Sequence, residues 1–159
     1  MKLLKTIQID PSDNHVFEHA AGSGEWAIAG GFSFAGITED ALTGKVRQAF
    51  SNGFLSLESS GHSTFTVVAN IEDTEVENLI AQLSQNLIDY YGAPTQKDAR
   101  EAAQGEVSFI VDMCEEIPIN SVFTLLRTLD DDGQIKEEFR IVDAPGEALH
   151  ARVWDVEED

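Results

Sequence analysis

Two long alternating runs, Val122–Leu129 and Ile135–Val142, constrain the fold most. They flank Asp130-Asp131-Asp132-Gly133, whose Asp-Gly step favours a tight turn between antiparallel strands. Ile135, Phe139 and Ile141 alternate with Lys136, Glu138 and Arg140. That period of two belongs to a sheet with one face on a core and the other in water.

Two helices are predicted ahead of this hairpin. Val76, Leu79, Ile80, Leu83, Leu87 and Tyr90 recur at helical spacing, and Thr74 with Glu77 fits a capping box. Gly92 and Pro94 end that helix. Thr95 caps the next one, with Asp98 in its first turn, running to Glu115 or Glu116. Its main stripe is Ala99, Ala102, Ala103, Val107, Ile110 and Cys114. Phe109, Val111 and Met113 make its second half apolar nearly all round, so it is buried on several sides or covered by a partner.

The first half reads as a strand over 2–9, a turn over 10–14, and short strands Val16–His19 and Glu25–Ala29 about Gly22-Ser23-Gly24. Phe32-Ser33-Phe34 is expected to be extended. A helix over 39–52, capped by Thr38, turns Leu42, Val46, Ala49 and Phe50 inward. Phe54–Glu58 and His62–Ala69 form a hairpin joined at Ser59-Ser60-Gly61. Strands grouped apart from helices predict an α+β fold: one domain over 1–145, with an antiparallel sheet and about three helices packed on one face. An acidic tail over 146–159 is expected to be solvated.

Charge narrows the function. Asp and Glu number 29 against 10 Lys and Arg, a formal −19 over 159 residues. Such a field repels phosphate backbones and anionic lipids, so neither nucleic acid nor a membrane is an expected partner. No stretch approaches the ~20 apolar residues of a membrane span. The opening has two lysines but lacks the apolar block and cleavage site of a signal peptide. Cys114 is the single cysteine, which excludes an internal disulfide and makes a reducing cytoplasm the expected compartment.

Each candidate motif has a plainer structural reading. His15-Val16-Phe17-Glu18-His19 matches H-x-x-E-H, in which two histidines bind zinc and the glutamate activates water. That chemistry needs a long helix, whereas the turn at 10–14 and the glycines at 22 and 24 leave room for a strand, on which Glu18 faces away from both histidines. Asp130–Gly133 lacks the carboxylates of a calcium loop at the required spacing. Cys114 lies on an apolar stripe, and His62 opens a strand. No phosphate-binding glycine motif occurs. No cofactor, metal or catalytic residue is therefore assigned.

Lys2-Leu3-Leu4-Lys5-Thr6-Ile7, Asp10-Pro11-Ser12-Asp13, Val16-Phe17-Glu18, Gly24-Glu25-Trp26-Ala27 and Gly53-Phe54-Leu55 together resemble a small alphaproteobacterial family of unknown function, over most of the chain. The resemblance implies one compact cytoplasmic domain without established catalytic residues. It further implies genes lying near those of molybdenum or iron–sulfur oxidoreductases and a biotin/lipoate-ligase-like protein, hence an accessory role in enzyme or cofactor maturation.

The leading expectation is a non-enzymatic accessory protein that binds a protein partner or forms a homo-oligomer through Phe109, Val111 and Met113, or through an unpaired sheet edge. The alternative is a small-molecule binder or hydrolase with a pocket between sheet and helices, formed by His15, Glu18, His19 and Trp26. A weaker alternative is a metal-dependent enzyme using His15 and His19.

Overall fold

In the computed structural model, which describes residues 1–142, the C-terminal hairpin takes the expected bounds: β6 is Val122–Leu129 and β7 is Ile135–Val142. Asp130 organises its turn, its Oδ1 accepting from the N–H groups of Asp132 at 2.9 Å and Gln134 at 2.8 Å. Gly133 takes the left-handed conformation, φ 80°, that this turn requires. The tail over 146–159 and the domain limit at 145 lie outside the described residues.

The other strands are β1 Lys2–Ile7, β2 Trp26–Ile28, β3 Phe54–Ser56, β4 His62–Ser63 and β5 Phe65–Asn70. All seven form one antiparallel sheet in the order β4-β3-β2-β1-β5-β6-β7. β1 is central, pairing with β5 from Lys2↔Asn70 to Ile7↔Phe65. Leu3 and Leu4 point to opposite faces, yet neither is exposed at all, because the sheet curls and both sides are covered.

The curl arises at Thr64. The expected continuous strand 62–69 breaks there into β4 and β5, since the buried Asp13 carboxylate accepts from Thr64 N–H at 3.1 Å and its hydroxyl at 2.7 Å. Residues before the break pair with β3 and residues after it with β1. The first five strands therefore close on themselves.

Asp13 belongs to a single helical turn, α1 Asp13–Val16, where a turn over 10–14 and then a strand over 16–19 were expected. Asp10 Oδ1 accepts from Ser12 N–H, and His15 N–H donates to Ser12 O, so the turn that follows β1 goes on to wind up a helix. Gly31–Phe34 is likewise a 3₁₀ turn rather than extended, entered through Gly30 at φ 84°. The helix expected over 39–52 divides into a 3₁₀ turn, Glu39–Ala41, and α2, Gly44–Asn52. Ala49 and Phe50 are buried as expected, whereas Val46 is exposed.

α3, Asp73–Tyr90, and α4, Gln96–Cys114, pack on each other, and α4 lies on β1 and β2. The α3 stripe from Val76 to Leu87 is buried, but Tyr90 extends past the core and is 78% exposed. α3 starts two residues earlier than a Thr74 cap predicts, with Glu72 at its N-cap, and Glu77 instead pairs with Arg100 of α4. Thr95 caps α4 as expected, its hydroxyl accepting from Asp98 N–H at 3.0 Å. α2 packs mainly on β6. Among the described residues no helix is long and apolar enough to cross a membrane.

Candidate functional site

The four residues expected to line a pocket are not drawn together. His15 and Glu18 are exposed around the end of α1. His19 is exposed too, its Nε2 lying 3.0 Å from Ser59 O. Trp26 is buried in the sheet, with Lys5 Nζ 4.5 Å from its ring centroid. Among the described residues no hydrogen bond or ion pair links the four, and no group of three or more His, Cys, Asp or Glu side chains is placed to hold a metal ion.

His19 instead borders a network centred on Glu25. Glu25 Oε1 accepts from Ser59 Oγ at 2.5 Å and Ser56 Oγ at 2.7 Å, and Oε2 from Gly22 N–H at 2.7 Å. Burial opposes ionisation of this carboxyl, but those hydrogen bonds and the nearby His19 outweigh it and hold the carboxyl below its usual range. The His19 ring meets the Ser59 carbonyl rather than its hydroxyl, so the group is not a nucleophile with its base. It fastens the β3–β4 turn to the loop before β2. Cys114 is fully buried, and burial pushes its thiol up to about 11, the opposite of an activated thiolate.

The most unusual chemistry lies at Arg127, which sequence reasoning missed. The side chain is fully buried. Nε and Nη2 each contact Glu137 Oε2 at 3.0 Å, Nη2 donates to Ala29 O at 2.8 Å, and Nη1 to Phe50 O at 2.8 Å. Contacts from Nη1 to Ala49 O and Gly53 O, at 3.5 and 3.4 Å, are marginal. Phe34 covers the guanidinium, 5.3 Å from its ring centroid. Ala49 O already accepts from Gly53 N–H, whereas the last carbonyls of a helix, Phe50 O here, lack a helical partner, and a cation there also suits the helix dipole. Arg127 thus ties α2, β7 and the loop after β2 together. With its donors engaged inside the protein it is a structural tie rather than an anion site.

Glycines make room for this junction. A Cβ at Gly31 would stand 2.7 Å from Glu137 Oε2, and one at Gly30 would stand 2.5 Å from Leu55 Cβ. Burial and the charge of Glu137 raise the carboxyl of Glu106 on α4, with Arg127 opposing. His62 sits between Phe17 and Phe34, at 5.7 and 6.2 Å between ring centroids. Burial, then the charges of Arg127 and His19, lower it to about 4, so it is neutral. A sequence signal for Arg127 existed: it is in phase with Phe123 and Leu125, a charge on the core-facing side of β6.

The three residues expected to form an interaction surface separate by exposure. Val111 and Met113 are half-buried and pack against the core. Phe109 remains 52% exposed, with its ring 5.8 Å from Phe139 of β7, which in turn lies 6.3 Å from the buried Phe54. An aromatic row therefore runs from the core to the surface where α4 meets β7. Val111 also lines an open groove of about 440 Å³ with Met1, Lys2, Asn70, Asp112 and Glu115.

These features define an acidic α+β protein built on a curled antiparallel sheet. The chain belongs to a family of unknown function, DUF6505, whose model matches residues 1–156. No curated protein and no solved structure matches it significantly.

Proposed function

We propose that this protein is a non-enzymatic accessory module that works by docking on another polypeptide through the seam between α4 and β7. The observation that carries this reading is Phe109, half-exposed at the end of an aromatic row that starts in the core. A large ring held rigid by packing loses little entropy on contact and offers an anchor for a partner. Among the described residues His15, Glu18, His19 and Trp26 make no hydrogen bond or ion pair with one another, which gives the ligand-pocket alternative less support. The gene neighbourhood implied by the resemblance makes maturation of a metal-containing oxidoreductase the accessory task we favour.

A photoreactive amino acid placed at position 109 tests this in living cells, with the exposed position Gln104 on α4 as control. A discrete polypeptide adduct is expected at 109 and not at 104. No adduct at 109 above the level at 104 overturns the reading.

A further inference from the structure

We infer that β7 is the contact strand of a symmetric homodimer, paired antiparallel with β7 of a second copy about a two-fold axis at Phe139; this rests on the docking seam proposed above and names its occupant. β7 is the last strand of the sheet among the described residues, so one of its edges carries unpaired backbone groups there. The pairing with β6 says which groups these are. Asp130 N–H donates to Gln134 O at 2.9 Å, which makes these two a hydrogen-bonded pair. Bonded and non-bonded pairs alternate along an antiparallel ladder. Leu126↔Glu138 and Thr124↔Arg140 are then bonded pairs, and the N–H and C=O of Glu137, Phe139 and Ile141 point away from β6.

A two-fold axis at Phe139 uses those groups. Phe139 exchanges both bonds with Phe139 of the second copy, and Glu137 pairs with its Ile141. The same register sets Glu138 opposite Arg140 of the other copy, twice. Charge makes this strand the place for self-association. The chain carries −19, yet β7 holds two acids, Glu137 and Glu138, against two bases, Lys136 and Arg140. Glu138 and Arg140 now pair within the strand at 2.8 Å while more than half exposed, an arrangement of little worth that can re-form across the interface. On the other face, Phe109 beside Phe139 brings an aromatic pair from each copy to the axis. Moving the axis to Glu137 would set that carboxylate against itself.

Sedimentation equilibrium of the full chain, at low and high sodium chloride, tests the proposal. A dimer is expected, tightening as salt screens two bodies of −19 each. Glu138→Arg and Arg140→Glu each set like charges opposite one another, and each is expected to weaken association on the order of tenfold. The double variant restores it. Both side chains are exposed, so folding is unaffected. A monomer at every salt concentration overturns the proposal, as does a dimer indifferent to the single charge reversals. Amide exchange adds a further check. Slow exchange at Glu137, Phe139 and Ile141 that depends on protein concentration supports the dimer. The same protection in a monomer means that the chain's own residues occupy the edge, and it overturns the proposal. A monomer whose probe at position 109 still captures a different polypeptide sinks the dimer and leaves the docking reading standing.

Discussion

At the scale of single residues, Arg127 and His62 carry most of the unusual energetics. Truncating one partner of a buried ion pair leaves the other polar groups without compensation, which costs about 3–5 kcal/mol. Arg127→Met strands the α2 carbonyls and Glu137 in this way and is expected to lower stability by that amount in urea melts. Adding Glu137→Gln should recover part of the loss, because a neutral amide tolerates the site better than an unpaired carboxylate. His62 sets a pH window. Its folded value of about 4 lies below the ordinary 6.5, so between them the unfolded chain binds the extra proton. The stability it contributes is complete above pH 6.5 and is lost as pH falls through 6.5 towards 4, on the order of 3 kcal/mol in total. The difference between wild type and His62→Phe, measured by urea melts across that range, should show this loss. A difference independent of pH would show that the imidazole is not held neutral.

At the scale of elements, the decisive event is the break between β4 and β5. A hydrogen bond network with one buried carboxylate and two donors fails as a unit, so its parts are not additive. Asp13→Ala leaves Thr64 N–H and its hydroxyl unsatisfied and is expected to cost about 2–3 kcal/mol. Thr64→Val should cost about 1 kcal/mol, and the double variant less than the sum of the two. Additive losses in denaturant melts would mean that the contact does not hold the bend. Elements whose pattern is local were legible in advance: β6, β7 and α4 repeat the expected bounds closely because alternation, helical spacing and the Thr95 cap lie within each segment. The bend at Thr64 was not legible, because its cause lies 51 residues away in a segment expected to be only a turn. For the same reason the strand pattern of β1 did not show that both of its faces, Leu3 on one and Leu4 on the other, are buried.

At the scale of the whole molecule, a folded chain with −19 repels itself, and folding concentrates that charge. Added sodium chloride should therefore raise the melting temperature from its low-salt value, with most of the gain reached once the screening length falls to about 10 Å. A melting temperature that falls with salt would mean that exposed pairs such as Glu39 with Arg47 outweigh the general repulsion. The candidate sites divide along the same line as the fold. Phe109 stood out in the sequence as apolar on a helix already supplied with a buried stripe, and the fold leaves it on the surface. Arg127 was passed over because one charge in a strand says nothing of the carbonyls gathered around it. The sequence by itself determined the charge, the alternating hairpin and the two long helices, since each follows from residues within reach of one another along the chain. Only the tertiary structure decided where the sheet bends, which charge is buried and which strand ends the sheet among the described residues, because those depend on contacts between segments that no local pattern records.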